Sequence, residues 1–314
     1  MANLRVLLHV TAQHDYELHS VDFSTAFLQG SLHEEIWLRR PPGFTGPFPA
    51  VLVYVDDLVF AIADTEAVTL VKSFSALASN SPCHSPLLCL PATCSQLHLR
   101  TSPEPSGPYQ ELLSCLMYLM TCTRPDHAYP LSLLARYVAP GRHRKVYWDA
   151  AKRVLRYMCS TSGMGLVLGG RGPVVLIGHA DTSWVDDSAT QRSSQGYTFS
   201  LGSWRSTHSS SVLSSSCEAE IYAGAMAAQE LRWLTYLLTD LGEQPRSCPI
   251  LTKHIALRYF LARELQQRGQ LRLAYVATRA NTADIFTKAL YSGDHQRFCS
   301  VLGLVPTLPH LLTA

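Results

Sequence analysis

The apolar positions of this chain change period several times, and each change marks a new element. Leu4, Leu7, Leu8 and Thr11 recur at helical spacing, so a helix opens the chain. Tyr16 to Phe23 alternates as a strand does. Val51 to Ile62 is an apolar run interrupted by Asp56-Asp57. Two carboxylates do not sit at the centre of a buried strand, so the pattern predicts a solvated turn between two short buried strands. Residues 67–78 continue as a short helix. From 79 to 108 the periodicity disappears, and Pro82, Pro86, Pro91, Pro103, Pro105 and Pro108 stand among serines. That composition predicts a poorly ordered linker and a domain boundary.

Helical spacing returns over 109–160. Leu113, Leu116, Met117 and Met120 form one stripe, a break falls at Arg124-Pro125-Asp126, and Val146, Ala150, Val154 and Tyr157 share a later face. From about Gly172 the pattern turns to strands: 174–180, 196–201 and 204–212. A long helix is predicted over 217–241, with Ser216 as N-cap and Gly242 as stop. A helix over 253–267, a strand over 271–277 and a last short helix over 282–290 complete the chain. The fold class is α/β (α+β), with the second half a mixed domain on one sheet.

Composition narrows the choice. With 314 residues, 47% of them hydrophobic and 16% charged, the chain suits about two globular domains and excludes wholesale disorder. A net charge of only +2 does not announce a nucleic-acid binder, so any basic surface is local. Arg142, Arg144, Lys145, Lys152, Arg153 and Arg156 supply one, which suits a solvated helix face and a phosphate contact equally. The N-terminus lacks a secretory pattern, and no stretch approaches the roughly 20 apolar residues needed to span a bilayer. Nine cysteines without framework spacing then read as reduced thiols of an intracellular protein, cytoplasmic or nuclear. Cys83, Cys89 and Cys94, with His84 and His98, match no common zinc pattern.

Two carboxylate constellations carry the candidate chemistry. The first is Asp22 with Asp56 and Asp57. Phosphoryl transfer by two divalent metals about 3.5–4 Å apart needs carboxylates to hold them. A turn bearing paired aspartates, beside a strand bearing a third, supplies such a cage. The second is Asp181 at a strand, Glu218 at the start of the long helix and Asp284 near the last one. Each alone is unremarkable, because acidic residues favour the first turn of a helix anyway.

Several motifs in order give these residues a context. Val21-Asp22-Phe23-Ser24-Thr25-Ala26-Phe27-Leu28-Gln29-Gly30 and Leu52-Val53-Tyr54-Val55-Asp56-Asp57 resemble the catalytic motifs of copia-type retrotransposon reverse transcriptases, and Pro41-Pro42-Gly43-Phe44 is similar to a landmark between them. Thr123-Arg124-Pro125-Asp126 and Ala151-Lys152-Arg153-Val154-Leu155-Arg156-Tyr157 resemble the family's connection region. His179-Ala180-Asp181-Thr182-Ser183-Trp184, Arg192-Ser193-Ser194-Gln195-Gly196-Tyr197, Cys217-Glu218-Ala219-Glu220, Thr252-Lys253-His254-Ile255 and Ala283-Asp284-Ile285-Phe286-Thr287-Lys288 are similar to its ribonuclease H domain. The resemblance implies a truncated polymerase palm over 1–78, the linker over 79–108, a helical connection over 109–170 and an incomplete ribonuclease H-like domain over 171–314. It implies Asp22, Asp56 and Asp57 as polymerase ligands, and Asp181, Glu218 and Asp284 as ribonuclease H ligands, of magnesium (Mg). The partners implied are an RNA template, a DNA primer or an RNA–DNA hybrid, and no membrane.

The chain also departs from that family. Few residues join Phe44 to Tyr54, where the family carries elements that contact template and nucleotide. The proline-rich stretch stands where palm and thumb should continue. A smaller deletion joins Gly202-Ser203 to Trp204. Cys248-Pro249-Ile250-Leu251 runs straight into Thr252-Lys253-His254, where the family has a strand ending in a metal-binding aspartate and then a helix. These gaps imply lost catalysis, and the last implies a sheet short of a central element. Three functions remain open: an RNA-directed DNA polymerase with ribonuclease H, a non-catalytic nucleic-acid binder, or a decayed reading frame without function.

Overall fold

A computed structural model describes residues 1–22, 50–54, 57–62, 109–139, 145–169, 173–187, 190–243, 248–252 and 260–306. The expected helix over 67–78, the linker over 79–108, the cysteine cluster, Asp56, Arg142 and Arg144 lie outside the described residues. The chain divides into two compact units, Asn3–Leu90 with Gly169–Val174, and Pro91–Leu168 with Val175–Ala314 and the first two residues.

The smaller unit holds helix α1 (Ala2–His14) and strands β1 (Glu17–Asp22), β2 (Ala50–Tyr54) and β3 (Asp57–Ile62). The three strands form an antiparallel sheet in the order β1-β3-β2. Helix α1 buries Val6, Leu7, Val10 and Thr11, a face rotated from the predicted stripe so that Leu4 and Leu8 lie at its margin. It ends where Asp15 takes φ +54 and the Tyr16 N–H donates to the Thr11 carbonyl at 3.0 Å. A short polar side chain tolerates that left-handed position better than most.

The larger unit begins with helices α2 (Tyr109–Cys122), α3 (Ala128–Ala135) and α4 (Lys145–Ser160). Leu112, Leu113, Leu116, Leu131, Leu134, Ala151 and Met158 close one core among them. The predicted break is a 3-10 turn, Pro125–His127. It is fixed by a buried ion pair: Arg124 Nη2 donates to Asp126 Oδ2 at 2.8 Å, and its Nε donates to Oδ1 at 3.0 Å. Tyr157 of α4 donates to the same carboxylate at 3.1 Å, and Arg124 also reaches the Thr161 carbonyl at 3.1 Å.

The sheet of this unit comprises β5 (Gly178–Asp187), β6 (Arg192–Phe199), β7 (Ser203–His208), β8 (Cys248–Thr252) and β9 (Leu271–Tyr275), numbered after the short β4 (Met164–Leu166). Its order is β7-β6-β5-β8-β9. The first three strands are an antiparallel meander, and β8 and β9 run parallel to β5. The predicted strand at 174–180 starts several residues later than expected, because 174–177 pairs with no strand while polar 181–187 does. Helix α5 (Ser216–Asp240) packs on β5, β6 and β8 through Ala219, Ala223, Ala227, Leu231, Leu234 and Leu238. Its N-cap is Ser215, one residue before the expected Ser216, and Gly242 takes φ +82 beyond its end. Helix α6 (Phe260–Gln267) precedes β9.

The expectation of a missing central strand is overturned. β8 occupies the slot between β5 and β9, with Gly178 opposite Ile250 and Cys248 opposite Leu271. Five residues with Cys248, Ile250 and Thr252 turned inward suffice to fill it. What is absent at its end is the carboxylate, because β8 closes on Thr252.

On the other face, the predicted helix over 282–290 is instead two 3-10 turns, Thr278–Ala280 and Thr282–Phe286, followed by helix α7 (Ser292–Val301) and β10 (Leu304–Pro306). β10 pairs with β4, and Ile285, Phe286, Phe298, Cys299 and Leu304 form a second core with Ala128.

Candidate functional site

The polymerase constellation is placed by strand register. β2 and β3 pair antiparallel, with Tyr54 opposite Asp57; Asp56, between the two strands in the chain, lies outside the described residues. β1 lies along the other edge of β3, and its last residue, Asp22, is the Cα partner of Asp57. Thus two strand ends bring Asp22 and Asp57 side by side at one end of a small sheet. The sequence carries that arrangement in its pattern: an apolar run on each side of the pair fixes the hairpin, and alternation fixes the neighbouring strand.

The second constellation is in the larger unit. Asp181 is 0% exposed on β5 and Asp284 is 4% exposed in the second 3-10 turn. Three contacts hold that turn to the sheet. Asn281 donates to the Ala180 carbonyl at 2.9 Å, Ser206 donates to the Phe286 carbonyl at 2.6 Å, and Thr287 donates to Asp181 Oδ2. Gly196 makes the approach feasible. It is the register partner of Asp181, and a Cβ there would stand 2.5 Å from Phe286 Cβ. Between the two aspartates sits Lys288, its Nζ 3.4 Å from Asp181 Oδ2 and 3.2 Å from Asp284 Oδ2. Burial lowers the pKa of neighbouring His179, with a hydrogen bond to Asn281 acting the other way.

Glu218 does not join this pair. It is exposed at the first turn of α5, where its carboxylate accepts from the Ser214 hydroxyl and N–H, both at 2.7 Å, while Ser215 caps the Glu218 N–H at 3.1 Å. Those donors hold its pKa below the ordinary glutamate value. Glu220, two residues on, is buried, and Thr252 at the end of β8 donates to it at 3.4 Å. Sequence reasoning passed over Glu220, Thr252, Thr287 and Lys288. Helical spacing held the signal for the first, since Glu220 falls on the stripe of Ala223, Ala227 and Leu231. It held the signal for the last as well, since Lys288 follows Asp284 by four.

Carboxylate oxygens are the donors that Mg prefers. Among the described residues, however, no three His, Cys, Asp or Glu side chains are grouped to hold a metal ion. The ammonium of Lys288 already bridges the two buried aspartates, and β8 offers a hydroxyl at its end. The described residues of this half therefore do not fit a two-metal centre.

The basic stretch falls on α4. Lys145, Arg153 and Arg156 are exposed, while Lys152 is paired with Asp149 at 2.8 Å. Lys145, Asp149, Lys152 and Arg156 lie along one face. Among the described residues, no helix is long and apolar enough to cross a membrane.

No family model matches the chain. Curated proteins do. A retrovirus-related Pol polyprotein from transposon RE2 of Arabidopsis thaliana is 26% identical, over 98% of this chain and 29% of its own length. The Pol polyprotein from transposon TNT 1-94 of Nicotiana tabacum is also 26% identical, over 92% of this chain and 31% of its own. A shorter relative, secreted RxLR effector protein 161 of Plasmopara viticola, is 39% identical over 41% of this chain and 92% of its own length. The chain thus spans under a third of the polyproteins that it matches. The RE2 alignment runs over 426 positions against a chain of 314 residues, which leaves at least 112 positions with no counterpart here. Over nearly its whole length the chain is thus homologous to one part of the retrovirus-related Pol polyproteins of copia-type transposons.

Proposed function

We propose that this chain is a retroelement-derived remnant of reverse transcriptase and ribonuclease H that binds nucleic acid and no longer cleaves it. The observation that carries the reading is the end of β8. A hydroxyl stands there, on the strand next to Asp181, and Lys288 bridges the remaining aspartates. A two-metal cage short of its carboxylates does not place a metal over the scissile phosphate. The polymerase half keeps Asp22 and Asp57 in register, yet the family resemblance implies that the parts that would orient template and nucleotide are missing between Phe44 and Tyr54, and orientation supplies much of the rate. The exposed cations of α4 support backbone contacts to an RNA–DNA hybrid or a primed RNA template.

Purified chain mixed with a labelled RNA–DNA hybrid tests this directly. Binding is expected to weaken with salt, with a log–log slope of about −3 for the α4 cations. The triple variant Lys145→Ala/Arg153→Ala/Arg156→Ala is expected to flatten that slope. Neither hybrid cleavage nor primer extension with Mg is expected. Extension that disappears in Asp56→Ala/Asp57→Ala would show a working palm and sink the reading, as would cleavage that disappears in Asp181→Asn.

A further inference from the structure

We propose that Lys288 is the resident cation of the Asp181–Asp284 pair, so that this half of the chain assembles without divalent metal and metal gains nothing by entering. The inference extends the reading of a silent ribonuclease H half, but its test does not depend on activity or on nucleic-acid binding.

The argument is one of charge and reach. Two carboxylates buried in one place repel each other and need a positive partner. In a metal enzyme a divalent ion supplies it. Here Lys288 lies on the turn that carries Asp284, one helical turn on, and its Nζ meets an oxygen of each aspartate at 3.2 and 3.4 Å. Thr287, the residue before it, donates to the same Asp181 oxygen that Lys288 contacts. The segment Asp284–Lys288 therefore brings an anion, a hydroxyl and an ammonium to β5 together. Asn281 anchors its start to the Ala180 carbonyl, and Ser206 anchors its middle through the Phe286 carbonyl. A metal entering this site would have to displace the ammonium and find further ligands. Among the described residues no third metal-binding side chain is grouped there to help.

Hydrogen exchange of the 278–290 peptides, followed by mass spectrometry on the full chain with and without millimolar Mg²⁺, reads this out locally. The measurement is made with Asp56→Ala/Asp57→Ala in place, so that the other aspartate cluster does not take up metal. With Lys288 present, exchange is expected to be the same with and without Mg²⁺. Lys288→Met is expected to exchange about tenfold faster in these peptides without metal and to recover protection when Mg²⁺ is added. Lys288→Arg is expected to behave as the parent does. Protection by Mg²⁺ in the chain that keeps Lys288 would overturn the proposal, and this arm needs no variant at position 288 to fold. Unchanged exchange in Lys288→Met without metal would overturn it as well. Hybrid cleavage in the earlier assay would instead count against the functional reading, so the two failures are separable.

Discussion

Gly196 and Phe286 meet with no space for a methyl group between them. Gly196→Ala is therefore expected to push the Thr282–Phe286 turn off the sheet and to cost about 1–3 kcal/mol, the usual range for forced overpacking. Urea unfolding measures it, and a cost within error of zero would show that the turn shifts freely. The Arg124–Asp126 pair is another single-residue commitment. Both side chains are fully buried, so Arg124→Met leaves an uncompensated carboxylate and is expected to cost about 3–5 kcal/mol. Burial raises the Asp126 pKa, but the hydrogen bond from Arg124 and the neighbouring charges more than offset this, and the net shift is downward. Beside it, burial pushes the His127 imidazole down to about 4. The unfolded imidazole takes up its proton near pH 6.5, so stability is full above that value, falls as pH drops toward 4 and levels off below. About 2 kcal/mol should be lost between pH 7 and pH 5. His127→Leu should lose much less over the same interval. Equal losses in both proteins would assign the effect to other groups.

At the scale of elements, α5 shows what spacing could and could not disclose. Its extent, its serine cap and its glycine stop were all legible within a residue. Replacing the true cap, Ser215→Ala, should cost about 1 kcal/mol, against a few tenths for Ser216→Ala. The face that each acidic residue takes was harder to read. Glu218 sits where a first-turn carboxylate caps its own helix, and Glu220 sits where the buried alanines point. Motif order alone favoured Glu218, and only packing against β8 distinguishes the two. The hairpin around Asp56-Asp57 was legible because apolar runs flank it on both sides. The meander of β5, β6 and β7 was harder, since its buried positions include the polar Ser193, Ser194, Gln195 and Thr198, on both faces of β6. Periodicity reads such a strand as surface. The turns over 278–286 escaped for a related reason. They are held by Asn281, Ser206 and Thr287, through hydrogen bonds to residues about 80 to 106 positions away in the chain, and a local pattern carries no sign of those.

At the scale of the whole molecule, the chain lacks at least 112 of the positions in its alignment to a long polyprotein, and each compact unit still has a sheet of its own. The shortened link Cys248–Thr252 matters most for how such a product fares in a cell. Had the central slot stayed empty, β5 and β9 would each have exposed an inner edge of unpaired N–H and C=O groups. Edges of that kind template pairing between molecules. With β8 in the slot, the residual edges are those of β7 and β9 at the two margins of the sheet. A strand that ends on the hydroxyl of Thr252 thus still fills the slot, so the interior of the sheet offers no template for pairing between molecules.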